Sequence, residues 1–321
     1  MEVLTPGLST TVQDRGRTGY YHLGVPQGGA LDGFSAQAAN ALVGNTPDDA
    51  VLEMTFMGSN LRFTEDAVIA VAGAPVEVKV NGEAVPTWER VAVPAGATVE
   101  FGIIQGGSRY YLAVRGGIDV PVVLGSRSTY PLGGFGGFEG RKLEAGDVLP
   151  IGSAAGYRDL DSAVTSVPSE QRPEFSKEQS VRVLPGLYDF RLTDRGRSNL
   201  FTGEWKLSPV ADRAGLRYEG PGVEWVEREQ PFGAGSDPSN IVDAGYAVGS
   251  IQIPGGTQPI ILHRDAVSGG GYAMVGTVIS ADMDVVARAT PGTVTHFVEV
   301  TMEEALAARA EYNAAVAKLW D

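Results

Sequence analysis

Residues Thr11 to Asn45, TVQDRGRTGYYHLGVPQGGALDGFSAQAANALVGN, join a strand end, two turns and a helix, and their reading sets the reading of the rest of the chain. A short apolar alternation ends at Asp14-Arg15-Gly16-Arg17, which puts a carboxylate and two guanidinium groups at a strand end. Both an anion-handling turn and a merely solvated turn have this composition. From Gly24 to Asp32 a loop with Pro26, Gly28 and Gly29 leads into Phe34, Ala38, Ala41 and Leu42 at helical spacing. Asp32 is the expected N-cap and Gly44 the expected residue beyond the C-cap. A glycine-rich loop entering a helix exposes backbone N–H groups to a phosphate or carboxylate, although most capped helices bind nothing.

Outward from this stretch the pattern is β. Period-two segments run over Val51 to Phe56, Ala67 to Ala72, Val76 to Val80, Val91 to Val93, Thr98 to Ile103 and Tyr110 to Val114. Turn residues separate them, and Asn81-Gly82 predicts a hairpin with a type I′ turn. Between Gly152 and Ser180 the chain becomes polar and aperiodic, so 1–152 is expected to be an N-terminal β domain, 153–180 a linker or surface excursion, and 181–321 a C-terminal β domain. Strands resume at Ser180 to Leu184, Gly249 to Ile253, Pro259 to Leu262, Met274 to Ile279 and Val294 to Thr301. A terminal helix follows, opened by a Thr301–Glu304 capping box, with Met302, Leu306, Tyr312, Val316 and Leu319 as its apolar positions. Val3 to Arg17 is echoed faintly by Val183 to Arg197, where Asp194-Arg195-Gly196-Arg197 repeats the charged turn, as a duplicated β domain would produce.

Composition narrows the function classes. A chain of 321 residues with 43% hydrophobic side chains buries a large core, and two domains are expected. No apolar run of about 18 residues occurs and the start MEVLTPGLST is not signal-like, so a cytoplasmic, non-membrane protein is expected. The absence of cysteine removes disulfides, thiol nucleophiles and zinc–thiolate sites, while His22, His263 and His296 are too scattered for a histidine metal motif. A net charge of −14 argues against a nucleic-acid surface. Walker A, Rossmann, G-x-S-x-G and S-x-x-K patterns are missing, and no lysine follows a methionine as in a biotin carrier.

Two further stretches carry candidate chemistry. Arg115 to Arg141, RGGIDVPVVLGSRSTYPLGGFGGFEGR, holds eight glycines and three arginines near Ser126, Ser128, Thr129 and Tyr130. It reads either as a loop whose amides and Arg forks hold an anion or as a tightly turned, solvated excursion. Ile260-Ile261-Leu262-His263-Arg264-Asp265, followed by Gly269-Gly270-Gly271-Tyr272, sets a histidine at a charged strand end, as a proton carrier or a structural residue.

The order TVQDRGR, GVPQGGALD, ANALVGN, GGIDVPVVLGSRSTY and GGFGG resembles the family that includes the C-type subunit of 5-oxoprolinase, the carboxyltransferase half called allophanate hydrolase subunit 2, and an antagonist of a sporulation-kinase inhibitor. The resemblance implies two cyclophilin-like β-barrel domains in a mainly β chain with a few short helices and a C-terminal helix. It also implies a homologous B-type partner subunit, a further 5-oxoprolinase subunit, ATP with Mg bound by this chain or by the complex, and ATP-dependent opening of the 5-oxoproline lactam to glutamate. The alternatives it implies are biotin-dependent carboxyl transfer, with biotin on another chain, and non-catalytic binding of a kinase inhibitor. Carried over by position, Gln13, Asp14, Arg15, Arg17, Gly28, Gly29, Asp32, Asn40, Arg127, Ser128, Thr129, Tyr130, Arg213, Gln252, Asp265 and Tyr272 are the site candidates. Arg15, Arg127 and Arg213 are expected to bind anions, the amides near Gly28 and Gly29 an oxyanion, and Asp265, Asp32 or His263 to do catalytic work. Relatives tend to read Asp-x-Gln-Thr-x-Gly-Gly-Tyr-Pro where this chain has Val267 and Ser268, and Ser-Asp-Arg where it has Ala211-Asp212-Arg213, so a changed small substrate is also open.

Overall fold

The computed structural model describes residues 1–321, and the apolar alternations of the first half become ten strands. These are β1 (Glu2–Thr5), β2 (Ser9–Gln13), β3 (Val51–Thr55), β4 (Asn60–Arg62), β5 (Ala67–Gly73), β6 (Val78–Val80), β7 (Glu83–Val85), β8 (Arg90–Val93), β9 (Thr98–Phe101) and β10 (Arg109–Val114). They pair antiparallel in two sheets of order β1-β4-β9-β6-β7 and β2-β3-β10-β5-β8. Both sheets supply one core that contains Val12, Leu52, Phe63, Val71, Val99 and Leu112. Asn81 and Gly82 take φ angles of 52° and 85° between β6 and β7, so the type I′ turn forms as its sequence requires.

Helix α1 (Gly33–Leu42) keeps both expected ends. Asp32 accepts from the Ser35 N–H at 3.1 Å and from Ser35 Oγ at 2.7 Å, and Gly44 adopts φ 66° just past the C-cap. Asn40 donates to the Asp49 carbonyl and accepts from Asn45 Nδ2, which ties the helix end to the next loop. Beneath the helix start lies a buried polar cluster that the apolar pattern conceals. Glu53 on β3, 1% exposed, accepts from the Leu31 N–H and the Tyr111 hydroxyl, each at 2.8 Å, and its other oxygen is 3.8 Å from Arg109 Nε. The Tyr111 hydroxyl also accepts from the Asp32 N–H at 2.8 Å. Burial, and then the Glu53 and Asp32 carboxylates, push this phenol well above its ordinary pKa, so it keeps the proton it gives to Glu53.

The second half contains β11 (Glu178–Pro185), α2 (Asp194–Thr202), β12 (Trp205–Ala211), β13 (Gly215–Glu219), β14 (Asn240–Gly245), β15 (Ser250–Gln252), β16 (Ile260–Leu262), β17 (Gly269–Tyr272), β18 (Met274–Val278), α3 (Met283–Arg288), β19 (Val294–Glu299) and α4 (Met302–Ala317). Seven of these strands close a barrel in the order β11-β18-β15-β16-β13-β12-β19, while β14 and β17 form a separate ribbon. The parallel β11–β19 pair closes the ring, and closure removes the exposed sheet edges. Trp205, Tyr218 and Phe297 fill the barrel core, with ring centroids 6.2 Å apart for Trp205–Phe297 and 6.0 Å for Tyr218–Phe297. Full closure is confined to this barrel; the first half keeps two separately hydrogen-bonded sheets.

By contact the chain divides into a first unit, Met1–Thr18 with Gly28–Phe175 and Asn313–Asp321, and a second, Gly19–Gln27 with Ser176–Tyr312. Residues 153–175 therefore fold with the first unit; Tyr157 donates to Asp49, and Gly107 approaches the Phe175 ring. The repeated Asp-Arg-Gly-Arg segments differ in structure. Residues 14–17 form a turn, whereas 194–197 open α2, because Thr193 Oγ1 caps the Gly196 N–H at 3.0 Å. The Thr301–Glu304 capping box forms, but α4 buries Ala305 and Ala308 against Ile279 and leaves Met302 and Leu306 exposed. No helix is long and apolar enough to cross a membrane.

Replacing Glu53 by Ala would strand the Arg109 charge and two donors in the core. We expect Glu53→Ala to lose about 3–5 kcal/mol in urea unfolding; a loss below about 1 kcal/mol would remove the cluster from the account.

Candidate anion site on the first unit

Strand β2 delivers Asp14 to the turn, and this one carboxylate gathers two segments far apart in sequence. Its Oδ1 accepts from the Gly16 N–H at 2.8 Å and from the hydroxyls of Ser126 and Ser128 at 2.6 Å each, and its Oδ2 accepts from the Arg127 N–H at 2.5 Å. The Asp14 N–H returns a bond to Ser128 Oγ at 3.0 Å. Two residues back, Val12 O accepts from both the Thr129 N–H and Oγ1 at 2.9 Å, and Gln13 Nε2 reaches Thr129 O at 3.3 Å. The anion-loop candidates Arg127, Ser128 and Thr129 are thus brought to the Asp14 turn. Tyr130 ends the run; its backbone pairs with Phe135, and the two rings pack edge to face at 5.5 Å.

Glycines permit this approach. A Cβ on Gly136, which has φ 71°, would lie 2.1 Å from Ser128 O, and one on Gly28 would lie 2.9 Å from Arg17 Nη1. Arg17 is 1% exposed, donates to Ser128 O and sits over the Phe135 ring at 5.0 Å, so it braces the loop from inside. Arg15 and Arg127 point elsewhere. With Asp14, Thr18, Asp48 and Ser126 they line a groove of about 480 Å³. Arg15 pairs with Asp48 at 3.2 Å, both well exposed, and Arg127 pairs with Asp119 at 3.1 Å while its Nε donates to Val120 O. Exposed ion pairs are worth about 0–1 kcal/mol, so an incoming anion can recruit both guanidinium groups with little loss. Asp48 belongs to the site although sequence reasoning passed over it; its place just beyond the α1 C-cap, in Asn45-Thr46-Pro47-Asp48-Asp49, was the available signal.

The expected oxyanion site at the start of α1 does not form. The Gly29 N–H donates to Gln13 Oε1, Ala30 to Asp14 O, Leu31 to Glu53 and Asp32 to Tyr111. The four amides from Gly29 to Asp32 each have an internal acceptor, and Asp32 is fully buried as the cap, which takes it out of reach of a substrate.

In the second unit Arg213 grips Asp265 with two bonds, Nε to Oδ2 at 2.8 Å and Nη2 to Oδ1 at 3.0 Å, and Asp265 is 4% exposed. A carboxylate with both oxygens taken by a guanidinium fork serves as a brace, so this pair fixes the 212–215 turn against the end of β16. His263 is fully buried; its Nδ1 accepts from the Arg264 N–H at 2.9 Å, which leaves the proton on Nε2, 3.3 Å from Met283 O. That geometry makes His263 structural rather than a proton carrier. Gln252 is buried at the end of β15, whereas Tyr272 is 41% exposed on the ribbon, where its N–H donates to Tyr246 Oη at 2.7 Å. No group of three or more His, Cys, Asp or Glu side chains is arranged to hold a metal ion.

A closed β-barrel and a two-sheet unit bearing an arginine-lined turn make this a mainly β protein. The chain belongs to the carboxyltransferase domain family: the model for the carboxyltransferase domain, subdomain A and B, matches residues 23–299. It is 36% identical to the C-type subunit of 5-oxoprolinase from Escherichia coli over 311 residues, 96% of this chain and 94% of that protein. It is 33% identical to the urea amidolyase of Saccharomyces cerevisiae over 99% of its own length but only 18% of that protein. The crystal structure of Kluyveromyces lactis urea carboxylase superposes with a TM-score of 0.94 at 34% identity, covering 99% of this chain and 29% of that one. The chain thus spans less than a third of these yeast proteins.

An alanine at position 136 would combine a left-handed backbone, unfavourable by about 1–2 kcal/mol, with a collision against a carbonyl. Gly136→Ala is expected to lower stability by about 2 kcal/mol or more in chemical unfolding; a neutral result would show that the loop does not pack on Arg17 and Ser128 as described.

Proposed function

We propose that this chain is a subunit of an ATP-dependent 5-oxoprolinase and that the Arg15–Arg127 groove receives the anionic end of the reacting molecule. The observation that carries the reading is the pairing of two loosely held guanidinium groups at the rim of one polar groove. Likeness to the Escherichia coli 5-oxoprolinase protein along nearly the whole of both chains supports it. The lactam of 5-oxoproline is an unreactive amide beside a carboxylate. ATP would supply the phosphoryl group that makes the carbonyl carbon open to water. Arg15 and Arg127 would hold the substrate carboxylate or the transferred phosphate, and Asp48, displaced from Arg15 by that anion, would be placed to order a water molecule.

The residues present fit a carboxylate or phosphate in the groove and do not fit a phosphate at α1, whose amides are already used. No aromatic side chain lines the groove for an adenine to stack on. We therefore assign the nucleotide and its Mg to the assembled complex, with a homologous companion subunit and a further subunit as partners in the cytoplasm. Asp265 and Arg213 hold the barrel rim in this scheme, and Asp32 holds the helix.

A second reading, biotin-dependent carboxyl transfer, is supported by the TM-score of 0.94 to the urea carboxylase. Its biotin would arrive on another chain, and the same two arginines would meet the carboxylate.

Glutamate release from 5-oxoproline, measured with ATP and the companion subunits, should require this chain. Arg15→Ala and Arg127→Ala should each lower kcat/KM by about 100-fold with unchanged melting. Full activity in both variants would dismiss the groove. Turnover that depends instead on a biotinylated carrier and bicarbonate would favour the second reading.

A further inference from the structure

Two guanidinium groups in the second unit lie near each other with no carboxylate in ion-pair range of either. Arg191, on the turn before α2, is 5% exposed; its Nη1 donates to Asn240 O at 2.8 Å, and it sits over the Tyr188 ring at 5.0 Å. Its Nε is buried without an acceptor. The segment carrying Arg228 runs alongside, because Leu192 pairs with Trp225 and the Val226 N–H donates to Arg191 O at 2.8 Å. Arg228 is half-buried; its Nη2 donates to Gln230 Oε1 at 3.1 Å, and its Nε also lacks an acceptor. Burial and the Arg228 charge both push the Arg191 guanidinium below its ordinary pKa, yet an arginine stays charged in a protein.

Two more buried donors of the second unit are unmatched. Trp225 Nε1 is buried without a partner and would lie 3.0 Å from a Cβ on Gly256, so glycine at 256 leaves the indole N–H uncovered. Gln252 Nε2 is likewise buried without a partner, and Gln252 is 6% exposed. Its strand neighbour Met274 accepts from the Tyr188 N–H at 3.2 Å, which links it to the ring stacked on Arg191. The nearby acids are engaged or turned outward. Asp189 pairs with Arg197 at 2.7 Å, Asp237 Oδ1 is taken by the Ser239 N–H and hydroxyl, and Glu227 and Glu229 are exposed.

Each buried donor left unmatched is unfavourable by about 1–3 kcal/mol, and two like charges add repulsion. An acceptor with negative charge and two or more oxygens answers all of these at once. We propose that Arg191, Arg228, Trp225 and Gln252 form a binding site for a small oxyanion, a carboxylate or a phosphate, on the second unit. None of these residues lines the Arg15–Arg127 groove, so the site stands independently of the function proposed above.

The test is calorimetric titration of the full chain with 5-oxoproline and, separately, with inorganic phosphate, paired with thermal melting in buffer free of both. Wild type should bind one of the two saturably, the successful probe naming the carboxylate or the phosphate. Arg228→Gln should weaken that binding at least tenfold while melting at or above wild type when no anion is present, because the substitution relieves repulsion. Because the Arg15–Arg127 groove can take the same probes, the decisive comparison is made in the Arg15→Ala background, where one saturable binding event should remain and should be lost when Arg228→Gln is added. If Arg228→Gln fails to fold, Trp225→Phe, which removes only the indole N–H donor and some ring area, should weaken the binding severalfold. Absence of saturable binding by either probe would overturn the proposal. Binding that survives both second-unit variants but is lost in Arg15→Ala would overturn it as well.

Discussion

The first unit's site depends on one carboxylate. Asp14 accepts four hydrogen bonds, two from backbone amides and two from serine hydroxyls, and three of the donors come from residues 126–128. Charge-assisted bonds are shorter and roughly twice as strong as neutral ones, so a group at the end of β2 can hold a loop more than a hundred residues away. With Asp14 saturated by these donors, Arg15 and Arg127 project from either side of it into the groove. Arg17 runs the other way, into the protein, where it supports the Ser128 carbonyl. The three arginines of this site therefore do different work: one builds the loop and two present it.

A related division appears in the second unit. There Arg213 and Asp265 satisfy each other and brace a turn, while Arg191 and Arg228 find no acid at all. A paired charge in a protein interior argues for structure, and a buried charge with unmatched donors around it argues for a ligand. Residue type alone cannot separate these cases; the geometry of the partners does.

Most of the strands and α1 were legible in the sequence because their signals are local. Alternating apolar residues marked β3, β5, β10, β11, β18 and β19 to within a few residues, and Asp32 and Gly44 bracketed α1. Strands β1, β4, β12, β13, β14 and β17 were not found; in β12, Pro209 and a register shift between Leu207 and Ala211 interrupt the alternation. Identical tetrapeptides at 14–17 and 194–197 misled for a related reason. The capping hydroxyl of Thr193 turns one into a helix start, and nothing inside the repeat records it. Asp14 and Arg127 were site candidates only through family resemblance, and their meeting in space was not foreseen, because nothing local pairs position 14 with position 127. Asp32, Asp265 and His263 were read as reactive from their chemical type, whereas Ser35, Arg213 and the Arg264 N–H occupy them. Arg191 and Arg228 were invisible, because what marks them is the absence of an acidic partner and of an acceptor for Nε.

Amide hydrogen exchange in Asp14→Asn tests the central claim most directly. The substitution keeps the shape of the side chain and sets an NH2 group against one of the donors that the carboxylate accepts. If Asp14 holds the loop, exchange of the 123–130 segment should quicken by about tenfold or more, as for the loss of about 1.4 kcal/mol or more of local stability, while β10 in the core stays protected. Unchanged protection of 123–130 in a folded Asp14→Asn protein would contradict the account, because the loop and its two arginines would then be held by something other than this carboxylate.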